Sequence, residues 1–275
     1  MRLVAHGHGI GDSMVLSSIA HVAKQQGHEV IVSCLHPDLY WNNGDVVSCD
    51  QWNPQEAVPF WGVDDPGKIV GEHQVQWMCR RLGLEVPRYE DIRCHIFVEG
   101  EIFNTNAIHP CVAISPFASW SENKNWMIDQ WRRLVGMIAA PVYQLGGISD
   151  YRIPGAIHSY LGAPLRSVAA LIALASAHIC VVTGTMHLAS AVGARSIVIY
   201  GGRENPMVTG YHRDLKLFHN PHQACAPCWL RDPCPYGTRR PNGELQKPCM
   251  DGIKISHVLD AIKEVTSGIR TFDRS

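Results

Sequence analysis

The sequence predicts an α/β protein of two parallel-sheet lobes facing each other across a cleft. Three observations carry that prediction. The chain opens as strand, glycine-rich turn, helix and strand. A cleaner series of the same kind begins at Val112. Each strand in that series ends in a loop of small or polar residues, the edge where open parallel sheets bind ligands. The 275 residues suffice for one large domain or two of ordinary size. A hydrophobic fraction of 46% supports packed cores rather than disorder.

Taken in order, Leu3 to Ala5 reads as the first strand, followed by the turn from His6 to Asp12. A helix is predicted over 13–26, with Met14, Val15, Ile19, Val22 and Ala23 apolar and Gly27 as its stop. Val30 to Cys34 completes a βαβ unit. The stretch 35–66, rich in Trp, Pro, Asn and Asp, carries a strand near Val46-Val47. A helix over 69–82 and a strand over 92–98 follow, and 99–110 reads as the interdomain connection. In the second series, strands are predicted at 112–115, 142–145, 179–182 and 196–200. Helices are predicted at 127–139, 165–177 and 186–192. The resulting division is 1–105 for an N-terminal lobe, 106–255 for a C-terminal lobe including the cysteine-rich segment 225–249, and 256–275 for a terminal helix and tail.

Lys and Arg number 24 against 25 for Asp and Glu, which gives bulk charge no role in wrapping nucleic acid. No run of about 18 apolar residues exists to span a membrane, and the first residues lack the apolar core of a secretory signal. The expectation is a cytoplasmic protein. Ten cysteines are many for that compartment, where thiols stay reduced. Cys34, Cys49, Cys79, Cys94, Cys111 and Cys180 are scattered singly, several of them in apolar runs that mark small core residues.

Three segments carry chemistry, each at a strand's C-terminal end. In Val181 to Ala191 a strand ends, Gly184 permits a tight turn, and a helix begins at once. The free amides of its first turn, through Met186 and His187, form an anion site, with Thr183 and Thr185 as hydroxyl donors. An ordinary turn with a threonine cap is the plainer alternative. In 115–126, Lys124 offers a mobile charge to a diphosphate and Ser119 or Ser121 a hydroxyl. Trp126 and Trp131 read as packing residues. In Tyr200 to Pro206, Glu204 can accept from ribose hydroxyls, or stand as half of an exposed Arg203–Glu204 turn pair. His6 and His8 lie beside Asp12, where they assist proton transfer, bind acceptor, or are merely tolerated.

These segments resemble a known family. Lys124-Asn125-Trp126 with Trp131, Gln144-Leu145-Gly146-Gly147, Gly184-Thr185-Met186-His187-Leu188-Ala189 and Tyr200 to Pro206 occur in the order seen in the heptosyltransferases of glycosyltransferase family 9. The branch that includes the bacterial autotransporter heptosyltransferases is the most similar. Cys225, Cys228, Cys234 and Cys249, then Met250 and Ile253, continue the likeness, which spans about 112–262. In the first lobe it is limited to Gly9-Ile10-Gly11-Asp12. The resemblance implies a GT-B fold, an ADP-heptose-like donor, and inversion at the anomeric carbon without a catalytic metal. Asp12 is then the general base toward the acceptor hydroxyl. Lys124 stabilises the leaving diphosphate, aided by amides around Gly184 to His187, and Gly146 and Gly147 join the donor site. A helix N-cap is the alternative for Asp12. Val182-Thr183 stand where many members have an acidic residue, and the first lobe is short. These departures keep two alternatives open: a non-catalytic nucleotide-sugar-binding module, and a same-fold transferase acting on nucleic acid or a small metabolite. The acceptor, whether protein, glycan or nucleic acid, and assembly into a homo-oligomer are left undetermined.

The last four cysteines have the spacing C-x2-C-x5-C-x14-C. Cys225 and Cys228 have the reach of a chelating pair, and Cys234 and Cys249 complete a tetrahedral thiolate set. Pro227, Pro233, Pro235, Pro241 and Pro248 deny this segment regular structure, and a metal can supply the missing energy. With all four bound no position stays open for a substrate water, so a structural role is expected, with disulfides the rival. Zinc and iron both suit four thiolates; the family branch implies iron.

Overall fold

The computed structural model describes residues 1–4, 9–51, 69, 71–103, 105–219, 225–231 and 233–267. The smaller of two parallel sheets holds β1 (Arg2–Val4), β2 (Ile31–Cys34) and β3 (Ser48–Gln51) in that order. Helix α1 (Ile10–Gln25) crosses between β1 and β2, and Gly27 follows it with φ 83°, the left-handed stop expected of glycine. The helix starts three residues before the predicted Ser13 because Gly9, in extended conformation, is its N-cap. Helices α2 (Gln74–Arg81) and α3 (Glu99–Phe103) complete this half.

The larger sheet contains β4 (Val112–Ser115), β5 (Val142–Gly146), β6 (Ile157–Leu161), β7 (Ala177–Val181), β8 (Ser196–Gly201) and β9 (Leu215–Phe218). Their order is β6-β5-β4-β7-β8-β9, parallel throughout. Helices α4 (Ile128–Met137), α5 (Leu165–Leu174), α6 (Gly184–Ala191) and α7 (Pro206–Thr209) connect the strands. A two-stranded hairpin, β10 (Thr238–Arg239) with β11 (Leu245–Gln246), precedes α8 (Pro248–Asp251) and α9 (Ile255–Ser267). The chain winds outward from β4 through β5 and β6, then returns to build β7, β8 and β9 on the other side. The order therefore reverses between β4 and β7, the switch point at which doubly wound sheets bind ligands.

Several expectations are corrected. Residues 92–98 are not a strand. Ile92, Cys94, Ile96 and Val98 alternate inward as predicted, but the backbone bonds to hydroxyls instead of a ladder. Ser18 donates to the Arg93 carbonyl (2.7 Å), the His95 amide to Ser17 (2.8 Å) and the Cys94 amide to Ser190 (3.3 Å). A period of two records alternate burial, which two flanking helices supply here as well as a sheet does. The helix predicted to Ala177 stops at Leu174, since Ala177 already pairs in β7. The connection 99–110 contains α3, and β3 begins at Ser48, just past Val46-Val47. Strands β6 and β9 escaped prediction because, as sheet edges, they are largely half-exposed and lack an apolar run.

One core runs through both halves. Leu3, Met14, Leu16 and Ile19 pack in the same cluster as Met186, Leu188, Val198 and Tyr200. A second cluster lies on the opposite face of the larger sheet, where Trp126, Trp131 and Leu134 meet Val258 and Ala261 of α9. Trp126 and Trp131 meet edge to face at 5.4 Å, which bears out their packing role. Arg166, at the start of α5, bonds the Glu101 carboxylate and the carbonyls of Asp38, Trp41 and Phe97, fastening the halves together. Among the described residues no helix is long and apolar enough to cross a membrane.

Candidate active site at the strand ends

The loops after β4, β7 and β8 leave the same edge of the larger sheet, at the switch point. They bring Lys124, Glu204 and the start of α6 into one neighbourhood, although 80 residues separate the first two in sequence. The Lys124 ammonium lies 2.5 Å from Glu204 Oε1, with side chains 13% and 6% exposed. Lys124 is therefore not a solvated loop lysine. Arg203 Nη1 reaches the same oxygen at 2.6 Å, so the Arg203–Glu204 pair read as an exposed turn is buried. Burial alone would raise the Glu204 carboxyl, but the Lys124 and Arg203 cations outweigh it and hold its pKa below the usual range. Two cations and one carboxylate leave a net positive charge. Any ribose hydroxyl must compete with both cations for Glu204.

At the start of α6, Thr183 is the N-cap residue but makes no side-chain cap bond, and the Thr185 hydroxyl is buried without a hydrogen-bond partner among the described residues. Met186 is buried in the core. His187 turns its Nδ1 to the Tyr211 hydroxyl at 2.6 Å, and burial pushes its pKa down to about 4, leaving it neutral near pH 7. Glu204 and Lys124 are both near enough to act on its charge, in opposite senses.

Helix α1 meets this turn end-on. A Cβ on Gly11 would lie 2.9 Å from the His187 ring, and one on Gly184 would lie 2.6 Å from the Ile10 Cβ. Only glycine permits so close an approach. Asp12 is the third residue of α1, and its Oδ2 accepts from the Gly9 amide at 3.2 Å. It is not the N-cap; Gly9 is. His6 and His8 lie outside the described residues.

Other expected residues have structural partners. Ser119 is exposed. Ser121 donates toward the Leu230 and Arg231 carbonyls and accepts from the Asn123 amide. Gly146 has φ 155°, and the Gly147 amide bonds Asp150 at 2.9 Å, so this pair shapes its own turn. Gln144 holds that turn through Tyr151 and Ile153. A separate hollow of about 880 Å³ opens beside the Arg166 clasp, between Trp41, Phe97 and Tyr160, and contains none of the expected site residues.

Cys225, Cys228, Cys234 and Cys249 are half-buried. Burial, with Cys234 and Cys228 nearby, raises the Cys249 thiol, while the Gly202 amide and Lys247 act the other way. An all-thiol donor set of this kind fits zinc or iron. The segment rests on the active-site loops. The Cys228 amide bonds the Gly202 carbonyl, the Cys234 amide bonds Asn123 Oδ1 at 3.0 Å, and Arg203 Nε donates to the Leu230 carbonyl at 2.8 Å. Sequence reading missed Asn123 and Tyr211, whose roles depend on partners distant along the chain.

Residues 162–237 match the model of glycosyltransferase family 9 (heptosyltransferase). No curated protein matches the chain by sequence. Among solved structures the chain is similar to the bacterial iron-containing dodecameric glycosyltransferase TibC from enterotoxigenic E. coli. The identity is 15%, the TM-score 0.73, and the match covers 98% of this chain and 77% of that one. A TibC complex with ADP-D-β-D-heptose matches with TM-score 0.69 at 15% identity, over 97% of this chain and 76% of that one. E. coli ADP-heptose lps heptosyltransferase II matches with TM-score 0.64 at 14% identity, over 97% of this chain and 98% of that one. At these identities the likeness is one of fold, and that fold is the GT-B-like α/β arrangement of parallel sheets.

Proposed function

We propose, for a chain that carries a family 9 glycosyltransferase segment on the matching fold, that it moves a heptose-like sugar from an ADP-linked donor to a hydroxyl acceptor, inverting the anomeric carbon. The observation that carries this reading is the contact of Gly11 with His187 and of Ile10 with Gly184. It sets the Asp12 turn against the helix start suited to a diphosphate.

In this reading the acceptor hydroxyl gives its proton to Asp12 as its oxygen attacks the anomeric carbon, and the bond from that carbon to the diphosphate breaks on the opposite face. The departing ADP carries the negative charge. Lys124, steadied by Glu204, and the amides from Gly184 to His187 stabilise it, with Thr183 and Thr185 as further donors. The net positive charge of the Lys124–Glu204–Arg203 group favours the diphosphate. Ser119, Gly146 and Gly147 complete the donor side. Cys225, Cys228, Cys234 and Cys249 hold a structural iron or zinc that takes no part in the displacement. That TibC contains iron supports the metal, and its complex with ADP-D-β-D-heptose supports the donor. Its dodecameric state supports self-association.

The test is a donor screen by thermal shift, then mass spectrometry of candidate acceptors. ADP-heptose should raise the melting temperature more than UDP- or GDP-sugars do. Asp12→Asn, which retains an acceptor for the Gly9 amide, should keep that shift and lose about 10²–10⁴-fold in transfer rate. Absence of a shift with any nucleotide sugar would overturn the reading. A shift without turnover in the unaltered protein would leave a binding module.

A further inference from the structure

The smaller half holds a cluster that the transfer reaction does not use. His21 lies on α1, nine residues beyond Asp12 and so about 13 Å along the helix axis. Its Nδ1 is 3.0 Å from Asp45 Oδ2, and its ring stacks on that of His95 with centroids 4.0 Å apart and planes 19° from parallel. One ligand atom from each of the three residues lies within 4.8 Å of the others, and all three residues are half-buried. An ion pair between His21 and Asp45 accounts for two of these groups, while the His95 ring has only its stack on His21 and no hydrogen bond among the described residues.

We propose that His21, Asp45 and His95 form a binding site for a divalent transition ion of the zinc or nickel kind, separate from the four cysteines and from the sugar-transfer site. Two imidazoles and one carboxylate are the donor set such ions prefer over magnesium or calcium. Metal–ligand bonds of about 2.0–2.2 Å would bring the three ligand atoms to about 3.3 Å from one another. Because the two imidazole planes now lie 19° from parallel, side-chain rotation must tilt them toward each other for both nitrogens to face one ion.

The outer surroundings fit as well. His21 Nε2 is 2.8 Å from the Gln25 amide, on the ring edge opposite Asp45. With that amide turned to present its oxygen, Gln25 accepts from Nε2–H and leaves Nδ1 free for the metal, the usual orientation device for a ligating imidazole. Partial exposure leaves room for one or two waters to complete the sphere.

The ligands come from three places: a helix, the turn before β3, and the extended segment 92–98. That segment is tied down by the hydroxyls of Ser17 and Ser18 in place of a strand ladder. A bound ion cross-links the three and stabilises this half by mass action.

The experiment uses the full chain, stripped of metal and refilled with cobalt, then with zinc. Thiolate-bound cobalt has an intense near-ultraviolet charge-transfer band that cobalt on imidazole and carboxylate lacks, so the two sites are counted apart. The expected result is about one cobalt per chain without that band, and a zinc-dependent rise in melting temperature. His95→Gln and Asp45→Asn should each lose that ion and that rise while the thiolate band stays unchanged. Asp45→Asn, which keeps the side chain's size, serves if His95→Gln does not fold. No cobalt beyond the thiolate-bound fraction, or full binding by both variants, would overturn the proposal. Neither outcome depends on sugar transfer.

Discussion

At the scale of single residues, the proposed diphosphate site rests on the Lys124–Glu204–Arg203 group. Lys124→Ala removes one of two cations from a buried carboxylate, but Arg203 remains 2.6 Å away, so the fold should survive. A hydrogen bond to a charged group contributes about 1.5–3 kcal/mol, so donor affinity should fall by about 10–100-fold. Calorimetric titration of the donor into the variant reads this directly. An unchanged Kd would reduce Lys124 to a partner for Glu204 alone. Lys124, Glu204 and Asp12 could all be picked from the sequence because each follows a strand that an apolar run announces. Their mutual arrangement could not. That Arg203 is buried and shares a carboxylate with Lys124 depends on a loop 80 residues earlier in the chain.

At the scale of elements, the cysteine-rich segment acts as a brace. Asn123 accepts from the Cys234 amide and Ser121 bonds the 230–231 carbonyls. Gly202, two residues before Glu204, packs so closely that a Cβ there would stand 3.0 Å from that of Cys249. Loss of the proposed metal should therefore loosen the loops that carry Lys124 and Glu204. Cys228→Ser is expected to lower bound iron or zinc by about one per chain and to lower the melting temperature. Elemental analysis and calorimetry on the same preparation check both effects, and a variant with wild-type metal content would remove Cys228 from the ligand set. The βαβ units were legible because buried parallel strands are continuous apolar runs closed by glycine. The edge strands β6 and β9 were not, and 92–98 misled because helices α1 and α6 imposed the alternation of a strand.

At the scale of the molecule, buried histidines govern the response to acid. Burial pushes His73 and His178 to about 3 and His187 to about 4. In the unfolded chain each titrates near 6.5. Between these values the unfolded state takes up protons that the folded state refuses, so this stability is fully present above about pH 6.5 and is lost as pH falls toward 4. Asp214 works in the opposite sense. Burial raises it to about 6, so its folded form keeps a proton that the unfolded chain releases, and its contribution fades as pH rises through that range. Burial also lowers His95, to about 4, and His36, so the imidazoles outnumber the one carboxyl, and the melting temperature should drop between about pH 7 and pH 5. A midpoint that stays flat across that interval would contradict the assignment of these imidazoles as neutral.

The core shared by the two halves also bears on how such a protein can diversify. Met14 and Ile19 from one half share their cluster with Met186 and Leu188 from the other. Recombination that exchanged the smaller half for a relative's would bring a foreign α1 face against α6, where Gly11 and Gly184 leave no slack. Shuffling of whole halves is thereby closed off as a source of new specificity. Change is left to the loops at the strand ends, which can be rewritten without disturbing the seam beneath them.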